Sequence, residues 1–171
     1  MIGVDLSIDQ LRVARSRTTL VVRTDAVRLP FGDETFETAV STFTHSDVPD
    51  FTALVREVAR VLRPGGTFAY VGVHPCFVNH AAEWRSEGIV VGPGYAQRGY
   101  VRSSPVFREG GLRARVGEYH IGLDGLMSAF LMPQLTLRRV QEIAGGFGPG
   151  PVAHHRLPGL IAISATKRGD D

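Results

Sequence analysis

The feature that most constrains this chain is an alternation across its first 73 residues, in which short apolar runs are separated by stretches with helical spacing. Residues 2–6 are apolar apart from Asp5 and predict a short strand. Ser7-Ile8-Asp9-Gln10 fits a capping box, with Ser7 as N-cap and Gln10 three residues on. Ile8, Leu11 and Ala14 supply an apolar stripe, and Arg12, Arg15 and Arg17 lie toward the end of the helix, where cations suit its dipole. Residues 20–22 begin a second strand that ends near Asp25. After the turn chemistry of Leu29-Pro30-Phe31-Gly32-Asp33, a third strand is expected over roughly residues 38–43. Asp47-Val48-Pro49-Asp50 then signals a helix start. Phe51, Leu54, Val55, Val58 and Leu62 recur at helical spacing and predict one face against a sheet. Pro64-Gly65-Gly66 stops that helix, and residues 67–73 read as a strand rich in β-branched and aromatic residues. Strands alternating with helices argue for a parallel α/β sheet.

The pattern breaks over residues 77–119, which hold Gly92-Pro93-Gly94, Gly110-Gly111, the single Trp and three of the four Tyr, without a sustained period. Leu123, Leu126, Met127, Phe130 and Leu131 restore a helical stripe. Residues 135–143 and 160–166 read as strands joined by a glycine-proline loop over 145–151, which predicts a terminal antiparallel hairpin. At 171 residues, with 43% apolar and 21% charged residues, the chain suits one domain with a sizeable core. The expected fold class is therefore α/β, built as a single domain over residues 1–171.

The net charge of +2 is small, and the 18 Arg and one Lys are spread from Arg12 to Arg168 without a dense basic run, so no nucleic-acid partner is expected. No apolar stretch is long enough for a transmembrane helix, and no membrane partner is expected. The N-terminus, MIGVDLSIDQ, lacks the basic flank of a signal peptide. Cys76 is the single cysteine and forms no internal disulfide, which suits a cytoplasmic location. The oligomeric state is not legible.

Several pieces, in order, resemble the class I S-adenosylmethionine-dependent methyltransferases of the small-molecule type. Gly3-Val4-Asp5-Leu6-Ser7 is similar to the end of that family's second strand. Arg23-Thr24-Asp25-Ala26 followed by Leu29-Pro30-Phe31 is similar to the end of the third strand and its turn. Phe36-Glu37-Thr38-Ala39-Val40-Ser41 resembles the fourth strand, although Glu37 stands where the family more often has Asp. Leu62-Arg63-Pro64-Gly65-Gly66-Thr67 resembles the turn into the fifth. The resemblance is close over roughly residues 1–73 and looser beyond.

That resemblance implies a Rossmann-like, mostly parallel sheet with S-adenosylmethionine at the carboxyl ends of the strands. It implies cofactor contacts at Asp5, Leu6, Asp25, Ala26, Thr42 and Phe43. Asp5 is placed to accept from the vicinal hydroxyls of a ribose, Asp25 from the exocyclic amine of adenine, and the backbone of Ala26 to meet the ring. Thr42 and Phe43 would line the methionine and substrate side. Residues 77–120 would form a variable, substrate-covering segment over a small organic acceptor. His120 in Glu118-Tyr119-His120 resembles a substrate-side proton acceptor, and a solvent-facing or capping role is its alternative.

The departure from the family lies at the N-terminus. The family's glycine-rich loop and first strand belong upstream of the ribose-binding acid, and only four residues precede Asp5. The expectation is a sheet lacking the first strand and the glycine-rich loop, as in an N-terminally truncated methyltransferase. The alternative reading is a non-catalytic remnant or partner-binding domain with weak or no cofactor binding. A nicotinamide-binding oxidoreductase would share the ribose acid but not Leu29-Pro30-Phe31 or Arg63-Pro64-Gly65-Gly66.

The remaining chemistry-bearing residues form no motif. The six histidines, at 45, 74, 80, 120, 154 and 155, make no H-E-x-x-H, and no paired C-x-x-C occurs, so no metal site is expected. His45, near the end of the fourth family strand, is a weaker acid–base candidate than His120, and Cys76 reads as a structural thiol. Gly145-Gly146-Phe147-Gly148 is not followed by a Lys-Ser/Thr pair, so a phosphate loop is not expected.

Overall fold

The structure, a computed structural model, describes residues 1–17, 20–86, 88–144 and 157–169. Strand β1 (Gly3–Asp5) leads through the Ser7 N-cap, whose side chain accepts from the Gln10 N–H, into helix α1 (Ile8–Ala14). Strand β2 (Val21–Arg23) returns parallel to β1, with Gly3 beside Val21 and Asp5 beside Arg23. Strand β3 (Phe36–Thr42) precedes helix α2 (Phe51–Val61), capped by Asp50, whose Oδ1 accepts the Ala53 N–H at 2.8 Å. Strand β4 (Leu62–Val73) lies parallel to β3.

Two elements begin or end differently from the sequence expectation. Leu62, expected on the helix face, is instead the first residue of β4 and is fully buried. Phe36 pairs with Leu62 and Thr38 with Thr67, so the register shift between them absorbs the Pro64-Gly65-Gly66 turn within the strand. Gly65 sits at φ +78°, a conformation that other residues rarely adopt.

Residues 77–119 are not structureless. Strands β5 (Ala82–Arg85) and β6 (Gly88–Val91) form one antiparallel pair, and β7 (Gly99–Val101) and β8 (Glu118–His120) form another. Helix α3 (Leu112–Val116) lies between β7 and β8 in sequence. Strands of three or four residues separated by glycines carry too little period to be read from sequence.

Helix α4 (Gly122–Phe130) leads to the expected terminal hairpin of β9 (Leu135–Ala144) and β10 (Pro158–Lys167). The loop expected over 145–151 lies outside the described residues. The strand order is β3-β4-β10-β9, with β1 and β2 as a separate parallel pair. The fold class is the expected α/β one, with parallel pairs ahead of an antiparallel hairpin. Phe51, Leu54, Val55 and Val58 of α2 and Leu126, Ala129 and Phe130 of α4 bury against Phe68 and Tyr70 of β4 and Ile161 and Ile163 of β10. Phe68 and Phe130 stack with ring centroids 5.4 Å apart. This core fixes β3 and β4 firmly, and their carboxyl ends carry the site.

Candidate functional site

The expected cofactor residues fall at strand ends. Asp5 closes β1, and the Thr24 N–H donates to its backbone carbonyl, extending the β1–β2 ladder toward Asp25. The two acids therefore stand at the carboxyl ends of neighbouring parallel strands, as the sequence predicted. Asp5 Oδ1 accepts the Ser7 N–H at 2.7 Å, and Asp25 Oδ1 accepts the Val27 N–H at 3.1 Å. Each turn thereby fixes one carboxylate oxygen, and both residues are solvent-exposed. Leu6 is exposed, with its carbonyl held by Arg23 Nε at 3.0 Å. Ala26 is half-buried and packs against the core.

Thr42 ends β3, on the sheet that does not contain β1 and β2. Phe43 follows at φ +57°, and its N–H donates to the Val71 carbonyl at 2.8 Å. A phenylalanine at positive φ is strained, and strain of this kind concentrates at functional strand ends.

A cavity of about 510 Å³ opens at the carboxyl end of β4, between Val73, the Ser46 loop and residues 77–118. Trp84 and Phe107 give it apolar walls, while Arg108, Arg113 and Glu118 bring charge to it. This is the size and mixture that suit a small organic ligand. Arg113 ties the segment to the loop after β3, donating to Asp47 Oδ1 at 2.5 Å and to Ser46 Oγ at 2.8 Å.

Beside the cavity lies a set of buried polar side chains. His45 Nδ1 accepts from the Tyr70 hydroxyl. Burial first, then the charges of Arg113 and His120, push the His45 pKa down to about 4, and burial pushes that of Tyr70 up. Gly72 is required there, because a Cβ would collide with the Tyr70 hydroxyl and approach His45 Nδ1 at 2.9 Å. His74 accepts the Cys76 N–H at Nδ1 and donates from Nε2 to Glu142 at 2.9 Å. Cys76 Sγ lies 3.3 Å from the Tyr95 hydroxyl.

His120, the candidate proton acceptor, is buried rather than solvent-facing, at 3% exposure. Its Nε2 donates to the Tyr95 carbonyl at 3.0 Å. Burial is the main cause holding its pKa down to about 4, so the ring is neutral near pH 7 with its lone pair at Nδ1. The structure brings His120 together with His80 and Glu118, a cluster that spacing in sequence does not reveal. The only sequence hint was the presence of Glu118 and His120 at alternate positions, which on a strand place both side chains on one face.

Residues 1–70 match the family model described as a methyltransferase domain. The chain is 42% identical over 65 residues to a demethylmenaquinone methyltransferase of Mycobacterium marinum, covering 38% of this chain and 28% of that protein. It is 36% identical over 89 residues to a phthiotriol/phenolphthiotriol dimycocerosates methyltransferase of Mycobacterium ulcerans, covering 50% of this chain and 32% of that protein. The matches thus span about a third or less of these relatives' length. In fold the chain is similar to an S-adenosylmethionine-dependent methyltransferase of Mesorhizobium loti, with a TM-score of 0.73 at 21% identity, over 97% of this chain and 79% of that one. Among the described residues no helix is long and apolar enough to cross a membrane. The chain thus matches a methyltransferase domain over its first 70 residues and shares its fold with an S-adenosylmethionine-dependent methyltransferase.

Proposed function

We propose that the chain binds S-adenosylmethionine and serves methyl transfer to a small organic acceptor held in the cavity at the end of β4. The observation that carries this reading is that Asp5 ends β1 and Asp25 lies two residues beyond the end of its parallel neighbour β2. The fit to the cofactor rests on their carboxylate oxygens. An adenosine offers two ribose hydroxyls and an exocyclic amine, all donors, and the two carboxylates are acceptors. Asp5 would take the hydroxyls and Asp25 the amine, with the backbone of Ala26 and the exposed Leu6 side chain against the base. Thr42 and the strained Phe43 would border the methionine end.

The cofactor supplies an electrophilic methyl on a sulfonium. The chain's own work is then to hold the acceptor atom near that methyl and in line with it. The apolar walls from Trp84 and Phe107 would exclude water, and Arg108 or Arg113 would pair with an anionic or polar acceptor. The matched relatives' names describe methyl transfer to organic molecules, which supports a small-molecule acceptor over a macromolecular one.

Calorimetry with S-adenosylmethionine and S-adenosylhomocysteine tests this reading. Binding is expected to weaken by about 10-fold or more in Asp5→Ala and Asp25→Ala, since each removes about 1–1.5 kcal/mol or more of hydrogen bonding. Binding that neither substitution changes would overturn the assignment of the two acids. No binding at all would favour a partner-binding domain.

A further inference from the structure

We propose that His80, Glu118 and His120 form a binding site for one divalent transition-metal ion of the zinc type, at the wall of the cavity. This does not depend on the methyl-transfer reading. Each residue offers a ligand atom, and the three atoms lie within 4.8 Å of one another. All three side chains are buried, at 7%, 8% and 3% exposure.

The hydrogen bonds around the cluster decide what it can hold. His80 Nε2 faces the Gly94 carbonyl at 2.9 Å, and His120 Nε2 faces the Tyr95 carbonyl at 3.0 Å. A carbonyl only accepts, so both Nε2 atoms carry a proton, and Nδ1 is the nitrogen of each ring left to bind a metal. Metal-binding histidines are fixed in this way, with the second ring N–H on a backbone carbonyl. His80 Nδ1 lies 3.2 Å from Glu118 Oε1. A metal ion or a proton shared by the two atoms would make that contact favourable. His120 Nδ1 has no hydrogen-bond partner among the described residues, although the ring is almost wholly buried. The backbone also holds the carboxylate in place, because the His80 N–H donates to Glu118 Oε1 at 2.7 Å.

Two imidazoles and one carboxylate are a donor set that suits zinc, with one position left for water or a ligand. Tetrahedral zinc with bonds of about 2.0–2.2 Å needs its ligands about 3.4 Å apart; His80 Nδ1 and Glu118 Oε1, at 3.2 Å, already meet that spacing, and the longer separations, within 4.8 Å, would shorten toward it. Glu118 also lines the cavity, so the ion would sit where an acceptor molecule is held. The competing occupant is a proton, which would make His80 an imidazolium paired with Glu118.

The test uses the full chain carrying His154→Gln and His155→Gln, so that this adjacent pair does not chelate. Titration with Co²⁺ is expected to give one ion per chain, with the visible absorption of a four-coordinate site and displacement by Zn²⁺. Glu118→Gln and His120→Gln are each expected to weaken binding by on the order of 100-fold while the far-ultraviolet spectrum stays native. If these variants do not fold, the imidazole ¹⁵N resonances of the parent chain serve instead. Zn²⁺ should then shift Nδ1 of His80 and of His120 and leave their Nε2 protons in place. Absence of a four-coordinate Co²⁺ spectrum, affinity unchanged in both variants, or Nδ1 resonances that ignore Zn²⁺ would each overturn the metal site. A His80 imidazolium signal that persists with Zn²⁺ present would show that a proton occupies it.

Discussion

The two sides of this molecule are held by different forces. Around α2, α4, β4 and β10 the buried side chains are apolar, and Phe51, Phe68 and Phe130 fill the space between helices and sheet. At the carboxyl ends of β3 and β4, and in the segment that packs over them, the buried set is polar: His45, Ser46, His74, Asn79, His80, Glu118 and His120. Apolar burial is additive and tolerant of small shifts, whereas a buried polar group costs free energy unless its partner is in place. The first region thus acts as a scaffold, and the second fixes particular atoms in particular positions, which is what a ligand site needs.

The sharpest way to break the comparison is to put a charge into the scaffold. Val58→Asp would bury an unpaired carboxylate on the face of α2 that meets the sheet, where Val58 is buried. The expected loss is on the order of 3–5 kcal/mol, enough to unfold a domain of ordinary stability. Thermal unfolding near that of the parent chain would show that this face does not carry the fold.

Acid should act on the polar region instead. The His45 pKa falls from 6.5 to about 4 on folding, through burial first and then the charges of Arg113 and His120, while Tyr70 donates to its Nδ1. The unfolded chain therefore binds a proton that the folded chain resists, between about pH 6.5 and pH 4. Stability is full above pH 6.5 and falls as the pH drops through that window, by about 3 kcal/mol at most from this residue. Urea unfolding at pH 7 and pH 4 measures the fall. His45→Gln should reduce it without abolishing it, since burial also lowers the pKa of His120, to about 4, and that of His74. An equal fall in parent and variant would remove His45 from the account.

The same contrast explains what could be read in advance. The scaffold was legible because its elements are long enough to show a period: Phe51, Leu54, Val55 and Val58 mark α2, and β10 alternates buried Ile161, Ile163 and Ala165 with half-buried neighbours. The placement of Asp5 and Asp25 near the ends of neighbouring strands was legible because each closes or closely follows an apolar run, with one helical stripe between the two runs. The polar cluster was not, because His80 and His120 are 40 positions apart and meet only through tertiary packing. His120 ends β8 and His80 lies in the turn before β5, and the β5–β6 and β7–β8 pairs are too short to announce themselves. Nor does any local signal tell a strand-final Thr42-Phe43 from one whose phenylalanine sits at positive φ.

The smallest and most discriminating prediction compares two carboxylates that make nearly the same bond. Asp50 Oδ1 accepts a backbone N–H at 2.8 Å at the exposed start of α2, and Glu118 Oε1 accepts one at 2.7 Å in the buried cluster. In Asp50→Ala water replaces the lost acceptor, and the expected cost is about 1 kcal/mol. In Glu118→Ala the His80 N–H is left buried without a partner, and the expected cost is about 1–3 kcal/mol. Location should differ as well as size. Amide hydrogen exchange should rise at the first turn of α2 in the Asp50 variant, and across residues 77–120 with α2 still protected in the Glu118 variant. Equal costs, or loss of α2 protection in the Glu118 variant, would mean that burial does not set the worth of these bonds and that the two regions unfold as one. A larger cost for Glu118, confined to its own segment, would show that the site can open while the scaffold stays folded, and that its atoms are held by hydrogen bonds rather than by the core beneath them.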